Sequence, residues 1–305
     1  MDQTRIKYAV YLLAVFILLT ACKVRKKKEN EKLIVCSTSI TADCVRQVVG
    51  DKLTVKSLMG PGVDPHTYNP RPSDVVLLND AKLVVYTGFH LEGKMAELFG
   101  RLSERKAVVS FQLDFPKDKI LYIDGNAPDP HVWFDTDSWI HGMNGVVDKL
   151  IELYPQHELE FRENFYKFLL RVQNKTKQLQ KALKEIPEER RVLITSHDAF
   201  HYFGRTFGIK VKALQGVSTS LEPGMKDVIE LVDFIVENDI QAIFVENSVS
   251  PKALNSVLSS VKRRGHPVKI GGTLFSDALG AKGSGADTYI GMLNHNVNTI
   301  KEGLK

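Results

Sequence analysis

A long segment without glycine or proline, HELEFRENFYKFLLRVQNKTKQLQKALKEI (157–186), lies in the middle of this 305-residue chain. Its apolar residues recur at helical spacing: Leu159, Phe161, Phe165, Phe168, Leu169, Val172, Leu179 and Leu183. Such a helix would extend for about 45 Å at 1.5 Å per residue, farther than one small lobe. An ordinary core helix is the alternative, but the length and the mid-chain position favour a helix that joins two lobes.

Strand and helix signals alternate on both sides of this segment. Predicted strands lie at 32–37, 53–59, 82–88, 106–111, 191–196, 209–214, 242–246 and 267–272, and predicted helices at 41–50, 72–81, 92–103, 136–154, 222–239, 250–264 and 285–303, with one more ending near 208. This alternation is typical of α/β folds with parallel sheets. We therefore expect two doubly wound parallel-sheet lobes, at 33–155 and 189–305, joined by one long rigid helix at 156–188.

The first 21 residues differ from the rest of the chain. A short basic start is followed by the apolar run AVYLLAVFILLTA (9–21), which has signal-peptide length and is short for a membrane span. The run ends in LTAC (19–22), which resembles the lipobox of bacterial lipoproteins. We expect 1–21 to be a lipoprotein signal peptide, removed before a lipid-bearing Cys22. A generic signal peptide with a chance cysteine is the alternative.

Residues 22–32 are predicted to form a basic, solvated tether. The run KVRKKK (23–28) supplies five positive charges, and the net charge of the whole chain is +5, so the remainder is close to neutral. A nucleic-acid partner would require basic residues clustered on the folded domain, and the sequence contains no such cluster. The basic run is better suited to contact anionic lipid head groups near the anchor than to bind nucleic acid.

The two remaining cysteines fall on different predicted elements, Cys36 on a strand and Cys44 in the following helix. An exported protein can oxidise such a pair, but a disulfide needs Cα atoms about 5.5 Å apart. Buried thiols are the default expectation, and a disulfide is the alternative.

Three histidines and one aspartate occupy equivalent positions, in loops at the carboxyl ends of predicted strands. In PGVDPHTYNP (61–70) the prolines stiffen a loop that presents His66, and DPHVWFD (129–135) presents His131 in the same way. His197 in SHDAF lies one residue past a predicted strand, and Asp277 follows the last strand. Ligands bind at the carboxyl ends of strands in doubly wound sheets, and imidazole with carboxylate suits Zn²⁺, Mn²⁺ or Fe²⁺. The sequence predicts that these four side chains converge on a metal ion between the lobes.

The motifs GPGVDPHTYNPRPSD, DPHVWFD, TSHDAFHYF, LQGVSTSLEP and GGTLFSDALG…GADTYIGMLNHNV resemble, in order and from about 33 to 303, those of the metal receptors of ABC importers. The resemblance implies a monomeric, non-enzymatic, extracytoplasmic solute-binding lipoprotein, on the periplasmic side or the cell surface. It would deliver zinc, manganese or iron to an ABC permease with its ATPase. The ligands implied are His66, His131, His197 and Asp277. A histidine as third ligand is similar to the zinc-type and treponemal-like receptors, since the manganese-type adhesins commonly have glutamate there.

Two departures from the family pattern bear on the site. His201 stands where relatives often have glycine, and no His-rich acidic loop separates His66 from His131, which weakens a strictly zinc-specific interpretation. Glu222 in STSLEP is either a hydrogen-bond partner of the ligands or a carboxylate favoured at a helix N-terminus. Trp133 is expected to pack beneath the loop that carries His131.

Two other functions are compatible with parts of the sequence. HDAFH (197–201) is similar to the H-E-x-x-H motif, so a zinc-dependent hydrolase would use His197, His201 and Asp198. Asp is one methylene shorter than the usual Glu, and the motif starts at a strand end. A surface adhesin or chelate receptor also fits lipid anchorage and two lobes, but neither function would require the loops of His66, His131, His197 and Asp277 to converge.

Overall fold

The computed structural model describes residues 30–123 and 126–305. The predicted signal peptide, Cys22 and most of the tether lie outside these residues. Residues 30–32, assigned above to the tether, instead begin the first strand. In the described part, no helix has the length and apolar character needed to cross a membrane.

The N-terminal lobe contains four parallel strands: β1 (Asn30–Cys36), β2 (Thr54–Ser57), β3 (Ala81–Tyr86) and β4 (Ala107–Ser110). They form one sheet in the order β2-β1-β3-β4. The helices are α1 (Ser39–Val49), α2 (Pro72–Asp80), α3 (Ala96–Ser103) and α4 (Thr136–Leu153). Thr38 caps α1 by accepting from the backbone N–H of Thr41, and Gly50 ends it with a φ of 56°.

A short antiparallel hairpin, β5 (Tyr122–Ile123) with β6 (Ala127–Pro128), was not predicted. Each strand has only two residues, too few to produce a detectable alternation of polar and apolar side chains. The hairpin leads directly into the loop that carries His131.

The C-terminal lobe contains four parallel strands in two hydrogen-bonded pairs, β7 with β8 and β9 with β10. They are β7 (Val192–His197), β8 (Lys210–Gln215), β9 (Ala242–Glu246) and β10 (Lys269–Leu274). Strands β7 and β9 lie side by side but belong to separate ladders. The helices are α6 (His201–Phe207), α7 (Met225–Glu237), α8 (Lys252–Arg263) and α9 (Tyr289–Leu304).

The long central helix α5 spans Glu158–Lys184 and contacts helices of both lobes, α1 and α4 on one side and α6 and α9 on the other. Its buried side chains are Phe161, Phe168, Val172, Thr176, Leu179 and Leu183. This confirms the two-lobe α/β architecture. Leu159 recurs at the same helical spacing but lies in the first turn, where its side chain is 74% exposed.

Phe168 is expected to hold the two lobes together through α5. Its ring is buried and lies 6.3 Å from the ring of Tyr289 in α9. Phe168→Ala should lower the free energy of unfolding by about 3–5 kcal/mol, the usual cost of a large buried aromatic, as measured by urea denaturation. The matched change Leu159→Ala in the same helix should cost less than about 0.5 kcal/mol. Equal losses from the two variants would contradict this packing.

Cys36 and Cys44 are both buried and free, which agrees with the default expectation of thiols. Burial raises the pKa of the Cys36 thiol to about 12, so it stays protonated. The Sγ of Cys44 accepts from Nε1 of Trp139 at 3.4 Å. Both thiols are therefore packing groups of the core.

Candidate metal centre

The four predicted side chains, His66, His131, His197 and Asp277, come together at one buried point between the lobes. Each offers one ligand atom, and these atoms lie within 4.8 Å of one another. The Nε2 atoms of His66 and His131 are 3.3 Å apart, and each Asp277 oxygen faces one imidazole, at 3.4 Å from His131 and 3.2 Å from His197. Such a set can hold a metal ion.

Strand ends bring these side chains together. His66 follows β2 and His131 follows the β5–β6 hairpin, both in the N-terminal lobe. His197 is the last residue of β7 itself, rather than one residue beyond it as predicted, and Asp277 follows β10. The four residues are at most 6% exposed, so only a small ligand can contact them all, which does not favour a receptor for a bulky chelate.

One oxygen of the cluster carries lone pairs that no hydrogen bond uses. Oδ1 of Asp277 is buried and has no hydrogen-bond partner among the described residues. Buried polar atoms are normally satisfied, and leaving one unpaired costs about 1–3 kcal/mol. The donor set therefore fits a cation that would accept these lone pairs.

Asp129 orients His131. Its Oδ1 lies 2.7 Å from Nδ1 of His131, which assigns the proton to Nδ1 and leaves Nε2 free toward the cluster. Burial alone would raise the pKa of Asp129, but the imidazoles of His131 and His201 outweigh it and hold the pKa below its usual range. Carboxylates in this position fix the tautomer and orientation of ligating histidines.

Glu246 orients His197 in the same manner. Its Oε2 lies 2.6 Å from Nδ1 of His197, and its Oε1 accepts from the backbone N–H groups of Ser196 and His197, both at 2.9 Å. Glu246 was not predicted as a partner, although it ends the predicted strand AIFVE and therefore lies at the same edge of the sheet as the cluster. Glu222, for which a hydrogen bond to the ligands was one of two interpretations, is exposed and lines a surface cleft beside α7 and α8.

The electrostatics differ between the histidines. Burial, together with the neighbouring His131 and His197, lowers the pKa of His66 to about 4 against the opposing pull of Asp277. Burial also lowers the pKa of His197, but the carboxylates of Glu246 and Asp277 more than reverse this and raise it well above the usual value. His66 is therefore neutral at neutral pH, whereas His197 holds a proton between two carboxylates.

His201 does not join the cluster. Its Nδ1 lies 3.1 Å from Oδ2 of Asp129, and its Nε2 lies 3.2 Å from Oδ1 of Asp198, so both nitrogens are engaged. His197 ends a strand and His201 begins α6, so the two histidines do not share a helical face. This geometry does not support the zinc-hydrolase hypothesis.

Trp133 packs beside the cluster, as predicted. Its buried ring centroid lies 5.4 Å from that of His131, and its Nε1 donates to the backbone oxygen of Ser276 at 3.0 Å. This bond ties the loop of His131 to the loop of Asp277. Within the described residues His90, His141, His157, His266 and His295 lie outside the metal-capable group.

Two α/β lobes with a buried set of imidazole and carboxylate groups between them define a solute-binding receptor for a small cation. The chain belongs to the family of the periplasmic component A of the zinc-uptake complex, ZnuA, whose model matches residues 34–303. Proteins of this family are receptors rather than enzymes, and this chain is accordingly a binding protein.

Curated relatives cover nearly the whole chain. The manganese-binding lipoprotein MntA of Bacillus subtilis is 42% identical over 301 residues, 97% of this chain and 98% of that protein. The manganese ABC transporter substrate-binding lipoprotein ScaA of Streptococcus gordonii is 26% identical over 309 residues, 98% of each. Among solved structures, the periplasmic zinc-binding protein TroA of Treponema pallidum has a TM-score of 0.87 and 39% identity, covering 91% of this chain and 99% of that one.

Proposed function

We propose that this protein captures a divalent transition metal (Zn²⁺, Mn²⁺ or Fe²⁺) between its lobes and delivers it to an ABC permease with its ATPase. The observation that carries the proposal is the buried convergence of His66, His131, His197 and Asp277. The metal is the transported cargo, and the four residues are its proposed ligands.

The charges around the cluster suit a divalent cation. Asp277 would contribute the one anionic ligand, while Glu246 and Asp129 each place a carboxylate behind an imidazole. All three acids are buried, and buried carboxylates require compensating positive charge. Neutral imidazoles and one carboxylate are donors that Zn²⁺, Mn²⁺ and Fe²⁺ accept. No bond is made or broken in this function, so it requires no nucleophile or general acid.

The receptor would work as a monomer on the extracytoplasmic side of a bacterial membrane, in the periplasm or at the cell surface. A lipid on Cys22 would anchor it, with the basic run KVRKKK (23–28) near anionic head groups. The LTAC motif supports this anchor, as do relatives named as lipoproteins.

Metal analysis and transport measured together test the proposed function. Full-length protein purified from its native host should contain about one transition-metal ion per chain. A deletion strain should accumulate less of that metal, and the wild-type gene should restore accumulation. Metal-free purified protein that shows no affinity for zinc, manganese or iron, with normal accumulation in the deletion strain, would exclude the function.

Glu246→Gln should weaken Zn²⁺ binding by about 10- to 100-fold, the usual effect of removing a group that orients a ligating histidine. The glutamine keeps the volume but removes the charge behind His197. Isothermal titration calorimetry measures the change, with exposed Glu237 changed to Gln in the neighbouring helix as control. Unchanged affinity in Glu246→Gln would show that His197 needs no such partner.

A further inference from the structure

The tripeptide Asp-Pro-His occurs twice, and the two copies adopt the same local hydrogen-bonding pattern. Oδ1 of Asp64 accepts from the backbone N–H of His66 at 2.8 Å, and Oδ1 of Asp129 accepts from that of His131 at 2.9 Å. In each copy the aspartate thus closes a turn onto the histidine that faces the cluster.

The second oxygen of each aspartate contacts a side chain from the opposite lobe. Oδ2 of Asp64 accepts from the hydroxyl of Thr219 at 2.5 Å, and Oδ2 of Asp129 lies 3.1 Å from Nδ1 of His201. Thr219 belongs to the loop between β8 and α7, and His201 is the first residue of α6. Each turn is closed by a hydrogen bond within its own loop, so the contacts with Thr219 and His201 are not needed to form the turns. Both contacts instead join a ligand loop to the opposite lobe.

We propose that Thr219 and His201 are positioning residues through which the C-terminal lobe fixes the two ligand loops of the N-terminal lobe. This inference rests on the proposed metal-receptor function. Asp64 and Asp129 connect the loops of His66 and His131 to the opposite lobe. Separation of the lobes would remove both contacts at once, so each turn would persist but its loop would be less firmly positioned, and the N-terminal half of the metal site would weaken.

The Asp64–Thr219 and Asp129–His201 contacts differ in how deeply they are buried. Asp64 is only partly buried and lines the cleft that also contains Thr219, whereas Asp129 is fully buried. The hydroxyl of Thr67 also donates to Oδ2 of Asp64, at 2.9 Å, but it comes from the same loop. Of these two hydrogen bonds to Asp64, the one from Thr219 is therefore the one that would be lost if the lobes separated.

Zinc release from the full-length protein in detergent micelles tests the proposal. Protein loaded with Zn²⁺ is mixed with excess chelator, and the release rate is followed by stopped flow. Thr219→Val and His201→Ala should each release Zn²⁺ about tenfold faster, since each removes a hydrogen bond to a carboxylate. Thr219→Ser, and His201→Asn, whose amide can replace Nδ1 as a donor, should restore most of the wild-type rate.

Thr299→Val is the matched control. The Thr299 hydroxyl lies 3.2 Å from Nε2 of His295 in the same helix, α9, so this contact neither crosses the lobe boundary nor reaches a ligand loop. This variant should release Zn²⁺ at the wild-type rate. Wild-type rates in both Thr219→Val and His201→Ala, or equal acceleration in Thr299→Val, would overturn the proposal. If the wild-type protein binds none of Zn²⁺, Mn²⁺ and Fe²⁺, that result would instead exclude the proposed metal-receptor function.

Discussion

Asp277→Asn is expected to lower the affinity for Zn²⁺ and Mn²⁺ on the order of 10²–10³-fold, the effect of removing one partner from a buried charge pair. Asp277 is the one carboxylate of the cluster, and each of its oxygens faces an imidazole. An asparagine keeps the shape but leaves a divalent cation with neutral ligands only. Calorimetric titration of the purified protein measures the loss.

Asp118→Asn provides the control for Asp277→Asn. Asp118 is exposed and its side chain pairs with neighbouring Lys119, at 3.6 Å, so its replacement should leave metal affinity unchanged. Comparable unfolding curves for both variants would exclude a general loss of structure. An Asp277→Asn variant with wild-type affinity would show that the metal is bound elsewhere.

Metal affinity should fall as the pH falls, by about tenfold per pH unit near neutrality, which corresponds to one proton displaced per metal. The proton comes from His197, whose pKa is raised well above its usual value because Glu246 and Asp277 outweigh the effect of burial. Burial lowers the pKa of His66 to about 4, so this residue adds no competing proton at neutral pH. Titrations in buffers of different ionisation enthalpy count the protons released.

Glu246→Gln provides an internal check on this pH dependence. It removes a main cause of the raised pKa of His197, so its binding should depend less steeply on pH than that of the wild type. An affinity that stays flat in the wild type between about pH 7.5 and 5, a range that spans the ordinary histidine pKa, would contradict ligation by three histidines.

The convergence of His66, His131, His197 and Asp277 could be predicted because it depends on local signals. Strand ends are visible as the end of an apolar run, and the carboxyl edges of parallel strands converge in every doubly wound sheet. Proline stiffening marked the loops of His66 and His131, and the glycine-free segment marked α5. These features follow from residues close to one another in the chain.

The hydrogen-bond partners of the clustered histidines could not be predicted, because they depend on contacts between distant segments. Glu246 reaches His197 from a neighbouring strand, and His201 reaches Asp129 across the lobe boundary. A hydrogen bond to the ligands was one of two interpretations of Glu222, whereas Glu246 was not considered as a partner. The separate ladders of β7–β8 and β9–β10 likewise depend on packing that no local pattern encodes.

Anomalous diffraction from crystals grown with Mn²⁺ or Zn²⁺ tests the central claim most directly. The account predicts one strong peak between Nε2 of His66, Nε2 of His131, Nε2 of His197 and the carboxylate of Asp277, with nitrogen and oxygen ligands at about 2.0–2.2 Å for zinc. A peak held by His197 and His201 without His66, or one on the protein surface, would contradict it.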